Sequence, residues 1–172
     1  TVWTKKYGNH NEEGFAITHL PNNKIAICGR EAGIANPPGD NANYKILSDS
    51  GEVLFEFIDS LAYDNYFTSI RANDEFVYLV ESNSRGPSND SFNDINILKF
   101  SAQTNEAVFV KTFGLPGTQD PVDAQLLSEN RLAITFFESS LSCLGCTGLV
   151  LLDSTGCVIE WCYTSVPEVN PK

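Results

Sequence analysis

The chain repeats one unit of about fifty residues three times, a period typical of arrays of small structural units. In each unit the first tight turn is followed at once by an apolar segment. These first turns lie at Asn22-Asn23, Asn73-Asp74 and Glu129-Asn130. A turn of this kind beside an apolar segment predicts a β-hairpin. The chain is therefore expected to fold as copies of one supersecondary unit packed side by side.

A second tight turn divides the later half of each unit. These second turns are Asp49-Ser50-Gly51, Gln103-Thr104-Asn105 and Ser154-Thr155-Gly156. Gly or Asn at the third place supplies the positive φ that such turns need. The segments between turns are short, rich in Val, Ile, Phe and Tyr, and lack helical periodicity. Each unit thus predicts four antiparallel strands, and the chain an all-β fold.

Repeated four-stranded units are typical of the blades of a β-propeller, whereas a sandwich would show no fixed period. We therefore predict three blades and one extra N-terminal strand, within a larger or oligomeric propeller. The expected divisions are an outer strand of a preceding or partner blade at 1–8, blades at 9–58, 59–114 and 115–165, and a tail at 166–172.

The opening of the chain carries a more specific pattern. It reads Trp3-Thr4-Lys5-Lys6-Tyr7-Gly8, then Glu13-Gly14-Phe15, then a turn and an apolar strand that ends in Gly29. This pattern resembles the repeats of secreted bacterial β-propeller proteins, and residues 109–114 repeat its first motif. The first-turn glycine pair of that family is replaced here by Asn, Asp and Glu. The resemblance implies a propeller fold and secretion, but no particular activity.

Charge and composition exclude several classes of partner. The net charge is −11, from 22 acidic and 11 basic residues, so nucleic acid and anionic membranes are poor partners. The longest apolar run, Leu149 to Leu152, is too short to span a bilayer. The chain begins at Thr1 and contains no Met, so we expect a processed or excised piece. An extracellular or cell-surface location is the expectation.

The N-terminal strand is expected to take part in assembly through Val2, Trp3, Lys5 and Tyr7. Val2 to Tyr7 matches the outer strand of a blade, yet nothing precedes it to supply the inner three. Three blades do not close a ring, because the smallest propellers use about four. The strand should pair with other subunits or additional blades: a six-blade ring of two copies, a longer parent chain, or strand donation in a fibre.

Long connections follow the second strand of each unit, at 30–43, 82–94 and 138–147. They are the expected surface for a protein or glycan ligand, although tolerated insertions are the alternative. Alignment of the units on their first turns places Glu13, Asp64 and Asp120 at one position near these loops. The three carboxylates favour repeated turn caps, and a calcium site is the second interpretation. No other cofactor is expected.

Four of the five cysteines crowd together near the end of the chain: Cys143, Cys146, Cys157 and Cys162. The spacing favours a short disulfide between the first two, or bridges from them to the last two. The last two should not pair with each other, because they face opposite sides of one strand. Asn89 begins an Asn-Asp-Ser glycosylation pattern.

No motif of nucleophilic or phosphate chemistry occurs in the sequence, so no enzyme is predicted. The favoured function is an extracellular interaction or adhesion module. The alternatives are a structural subunit of an extracellular filament or assembly, and a carbohydrate-binding or carbohydrate-active propeller. Four aromatic residues could stack on sugars or pack between blades: Trp3, Trp161, Tyr63 and Tyr66.

Overall fold

The computed structural model describes residues 4, 7, 12–32, 39–60, 64–84, 93–114, 117–140 and 143–164. These residues form three four-stranded antiparallel sheets, each in sequential strand order. Sheet 1 contains β1 (Glu12–Leu20), β2 (Lys24–Ala32), β3 (Asp40–Leu47) and β4 (Val53–Asp59). Sheet 2 contains β5 (Asn65–Ala72), β6 (Phe76–Ser84), β7 (Asn93–Ser101) and β8 (Ala107–Phe113). Sheet 3 contains β9 (Thr118–Leu126), β10 (Leu132–Ser140), β11 (Cys143–Leu152) and β12 (Val158–Thr164). The all-β fold and the three four-stranded units are confirmed.

Two one-residue β-bulges recur at the same places in all three sheets. The bulged residues of the first strands are Phe15, Thr68 and Val122. Those of the fourth strands are Leu54, Val108 and Ile159. A bulge reverses which side chains face inward beyond it, so its position sets the register of the whole strand. Matching bulges therefore align the three sheets residue by residue.

The second turns have the expected backbone, with positive φ at Gly51, Asn105 and Gly156. The first turn of sheet 2 differs from the sequence prediction. Its hairpin closes with the amide of Asn73 donating to the carbonyl of Phe76, so the turn residues are Asp74 and Glu75. The side chain of Asn73 accepts from the Glu75 and Phe76 amides and thereby stabilises this shorter turn.

Apolar layers on both faces of sheet 2 join the three sheets. The layer between sheets 1 and 2 is built mainly from Tyr44, Ile46, Phe67, Ile70, Leu79, Leu98 and Phe100. The layer between sheets 2 and 3 is built mainly from Tyr78, Val80, Ile97, Leu132, Ile134, Phe136 and Val150. Burial of one such side chain stabilises the fold by about 1.5–3 kcal/mol. Sheet 2 is therefore the middle of a three-sheet stack.

The first strand of each later sheet lies against the preceding sheet. β5 contacts β1, β2 and β3, and β9 contacts β5, β6 and β7. Within sheet 1, Gly29 is required because a Cβ there would lie 1.8 Å from the carbonyl oxygen of Glu13. Among the described residues, no helix is long and apolar enough to cross a membrane.

Candidate functional site

A polar cleft opens between sheets 1 and 2 at the end where the long connections leave. Its volume is about 320 Å³. We call it the inter-sheet cleft; it is lined by Arg30, Asp40, Asp64, Tyr66, Ser84 and Asn93. Each of these residues lies at or near a strand end, so two rigid sheets fix their backbones. A concave site with several convergent polar groups is the usual form of a ligand pocket.

Arg30 is held on three sides at one wall of the cleft. Its guanidinium lies 2.6 Å from Asp40 and 2.9 Å from Glu13. It also lies 5.8 Å from the ring centroid of Phe15. Partial burial disfavours the charged guanidinium, but the two carboxylates outweigh it and raise the pKa of Arg30 above its usual value. The planar cation is thus fixed in orientation before any ligand arrives.

Tyr66 supplies the aromatic surface of the cleft. Its ring meets Phe15 edge to face, with the centroids 5.8 Å apart. This contact crosses from sheet 2 to sheet 1, so the tyrosine is braced by the neighbouring sheet. A braced ring gives a ligand a flat apolar surface at little cost in conformational entropy.

Carboxylates close to the cleft tie each sheet to the preceding one. Asp64 accepts a hydrogen bond of 3.0 Å from the backbone amide of Asp40, in sheet 1. Asp120 accepts from Asn93 at 2.6 Å and from Ser82 at 3.2 Å, both in sheet 2. These contacts fix the position of cleft residues across two sheet boundaries.

A buried polar network lies beside the cleft. Asn65 donates to the Asp59 carbonyl and to the carboxylate of Glu81, at 3.0 and 2.9 Å. Asn96 donates to the other carboxylate oxygen of Glu81 at 2.8 Å. Burial, together with the charge of Asp59, raises the pKa of Glu81 to about 7, although both amide hydrogen bonds oppose this rise. The sequence analysis did not predict this network, because Asn65, Glu81 and Asn96 lie on three different strands that only the fold brings together.

No protein-family model matches this sequence, and no curated protein is significantly similar to it. The chemistry of the cleft therefore rests on the side chains that line it.

Glu13, Asp64 and Asp120 do not occupy one repeated position. The strand registers make Glu13 equivalent to Tyr66 and Asp120, because each lies two residues before the bulged residue. Asp64 lies two residues before Tyr66, the equivalent position in sheet 2. The sequence alignment missed this offset because the first turn of sheet 2 is shorter than the other two first turns and lies one residue later than predicted. The recorded contacts of the three carboxylates join separate strands or sheets, unlike the local turn caps that were expected.

The part of the chain that the structure describes contains no cluster of side chains that could bind calcium. Within it, no three His, Cys, Asp or Glu side chains form a group that could hold a metal ion. Glu13 in particular is engaged by Arg30. The calcium interpretation stays a hypothesis.

The structure tests one of the two disulfide predictions and leaves the other open. Cys28, Cys157 and Cys162 are free thiols, so neither Cys157 nor Cys162 is bridged to the cysteines of β11, which the sequence analysis placed in a loop. A bridge between Cys143 and Cys146 stays a prediction, because the side chain of Cys143 lies outside the described residues. Cys146 itself is buried.

Several predicted residues also fall outside the described chain. These are Val2, Trp3 and Lys5 of the assembly strand, the glycosylation candidate Asn89, and the aromatic Tyr63. Tyr7 is described, and its hydroxyl donates to the carbonyl of Gly51 at 2.8 Å. The other second-turn glycine of this kind, Gly156, lies beside Phe109 on the outer strand of the preceding sheet.

Of the aromatic candidates, Trp161 packs inside the fold. It meets Phe136 edge to face at 5.4 Å and is partly buried against the layer between sheets 2 and 3. Tyr66, the other aromatic candidate that the structure describes, lines the inter-sheet cleft. The sequence analysis did not assign Arg30 or Asp40 a role, because their pairing depends on two strands brought together by the fold.

Proposed function

We propose that the chain is a non-catalytic binding module, built on β-propeller blades, that holds its ligand in the inter-sheet cleft. The observation that supports this function most directly is the fixed set of polar side chains around one aromatic ring. Arg30 and Tyr66 are both braced by neighbours from the protein itself. A preorganised site loses little entropy when a ligand binds.

A saccharide is the ligand class that this lining favours. Tyr66 offers a ring face, while Asp64, Ser84 and Asn93 offer acceptors and donors for hydroxyl groups. Arg30 neutralises Asp40, but Asp64 leaves the lining with one net negative charge. A neutral, hydroxyl-rich ligand suits such a surface better than an anionic one.

The propeller architecture is part of the proposal. Successive first strands lie against each other, as expected for blades arranged around an axis. The repeated bulges support three copies of one blade. The resemblance to secreted bacterial propeller repeats supports an extracellular or cell-surface location, where glycans are abundant ligands.

A glycan array followed by calorimetry tests the function. Tyr66→Ala and Asp64→Asn should each weaken binding of a captured glycan by roughly tenfold or more. Asp64→Asn retains the oxygen that accepts from Asp40, removes the charge and replaces the second acceptor oxygen with an NH2 donor. Tyr163→Ala, an exposed aromatic of sheet 3, is the matched control and should bind normally.

Two results would contradict the proposal. One is binding that survives both cleft substitutions, which would place the ligand elsewhere. The other is release of a cleaved product when the bound glycan is incubated with the protein, which would reveal an enzyme.

A further inference from the structure

At each end of the three-sheet stack, some side chains are exposed although the equivalent side chains of the neighbouring sheets are buried. Residue-by-residue alignment makes Leu149 of sheet 3 equivalent to Tyr44 and Ile97. Leu149 is 40% exposed, whereas its two equivalents are 1% exposed. Those equivalents face the next sheet in chain order. Sheet 3 therefore presents the same forward face, here comprising Thr135, Phe137, Thr147 and Leu149, without a sheet against it among the described residues.

Sheet 1 shows the complementary situation. Its Ile17 is equivalent to Ile70 and Ala124, which face the preceding sheet. Ile17 is 67% exposed, whereas Ile70 is fully buried and Ala124 is 3% exposed. We call this the backward face of sheet 1; it comprises Ile17, Ile25, Ile27 and Lys45.

We propose that the forward face of sheet 3 docks on the backward face of sheet 1 of a second copy of this chain. The template for this docking is the contact of sheet 1 with sheet 2 and the contact of sheet 2 with sheet 3, since each joins the forward face of one sheet to the backward face of the next. A two-fold axis would form the contact twice and close a ring of six sheets. Six blades lie within the usual range of propellers, and a contact between different surfaces forms a closed particle only when its rotation closes.

Lys45 is the main departure from the template, because its equivalents are Leu98 and Val150. Its ammonium lies 3.0 Å from both Glu12 and Glu56. Burial disfavours the charge, but these carboxylates outweigh it and raise the pKa of Lys45. The lysine is therefore neutralised within its own sheet and does not oppose docking with an unpaired charge.

The mass of the particle in solution tests the proposal. Light scattering of the full chain over a range of concentrations should show a discrete two-chain particle. Leu149→Arg and Ile17→Arg should each weaken dimerisation about tenfold or more, because a charge then meets an apolar face. Val110→Arg, at a 56% exposed position on β8 away from both faces, is the matched control and should remain dimeric.

Mixing the two variants makes the test specific to this geometry. Leu149→Arg retains a normal sheet 1, and Ile17→Arg retains a normal sheet 3. The mixture should form mixed dimers through the one intact pair of faces, at concentrations at which each variant alone stays mostly monomeric. Folding of each variant is checked by circular dichroism. A wild-type monomer at every concentration, an open-ended polymer, or a mixture that stays monomeric would overturn the proposal.

Discussion

Asn65 on β5 holds the carboxylate of Glu81 on β6 with a hydrogen bond of 2.9 Å, and neither side chain is exposed to solvent. The same asparagine accepts a hydrogen bond of 3.2 Å from the amide of Ala42 in sheet 1. The protonation state of one buried carboxyl is thereby linked to the junction between two sheets.

Stability should fall as the pH rises through the titration of Glu81. Its native pKa of about 7 lies above the ordinary value of 4.5, so between these values the native state binds more protons than the unfolded state. The free energy of unfolding then decreases with pH across this window, by roughly 3 kcal/mol at most. Urea unfolding at several pH values between 4.5 and 8 measures the slope.

Glu81→Gln should remove this pH dependence. The glutamine can be accommodated because Asn96 can rotate its amide; the amide oxygen has no hydrogen-bond partner among the described residues. Glu129→Gln, at an exposed turn position, is the control and should keep the wild-type slope. Parallel curves for wild type and Glu81→Gln would contradict the prediction.

Asp120→Ala should destabilise the protein more than Glu13→Ala. Removal of the Asp120 carboxylate leaves Ser82, which is fully buried, without that acceptor and should cost about 1–3 kcal/mol. Glu13 is half exposed and its ion pair should contribute only about 0.2–1 kcal/mol. Chemical denaturation measures both. A chelator that lowers the melting temperature of wild type, but not of Asp120→Ala, would instead indicate a metal site.

Two lysines should differ in how much stability is lost when each is replaced by Met. Lys45→Met leaves Glu12 and Glu56 without their cation, so we expect a loss of about 1–2 kcal/mol. Lys99 lies 3.7 Å from the Phe76 ring centroid and donates to the Ser154 carbonyl.

Burial lowers the pKa of Lys99, although the charge of Glu75 opposes this. Its charge is therefore costly, and Lys99→Met should change stability by less than about 1 kcal/mol. Thermal and urea unfolding of the two variants decides the comparison. Equal destabilisation would show that the cation over Phe76 contributes as much as the ion pairs of Lys45.

Thiol labelling should distinguish the cysteines. Under native conditions Cys157 and Cys162 should react and Cys28 should not, because burial raises the pKa of Cys28 to about 12. A hydrogen bond with Glu160 raises the pKa of Cys162 and should slow its reaction, so Glu160→Gln should accelerate it. Mass spectrometry counts the labels.

The same experiment in denaturant tests the remaining disulfide. If Cys143 and Cys146 are bridged, three labels enter the unreduced, unfolded chain and five enter after reduction. Five labels without reduction would show that the bridge is absent.

Local sequence signals predicted the fold well where one residue determines the backbone. The third place of each second turn needs positive φ, and Gly51, Asn105 and Gly156 supply it. The first turn of sheet 2 was misplaced by one residue, because Asn73 suits both a turn position and the capping position that it occupies.

The site was harder to predict because its contacts join distant strands. Arg30 and Asp64 meet the same residue, Asp40, from different sheets. Neither contact has a spacing that the sequence could reveal, since the first depends on the register of β2 on β3 within sheet 1 and the second on the packing of sheet 2 against sheet 1. Tyr66 could be named as an aromatic candidate, but its position in the cleft required the fold.

The middle position of sheet 2 also has a consequence for synthesis. When residues 65–113 leave the ribosome, sheet 1 can already cover one face of sheet 2. The other face, which includes Tyr78, Val80 and Ile97, stays exposed until β9 to β11 have been synthesised. A nascent chain that stops before residue 118 thus carries a wet apolar surface, which is the kind of surface that chaperones bind and that drives aggregation. Translation of the last third of the chain therefore completes the middle third as well as adding its own sheet.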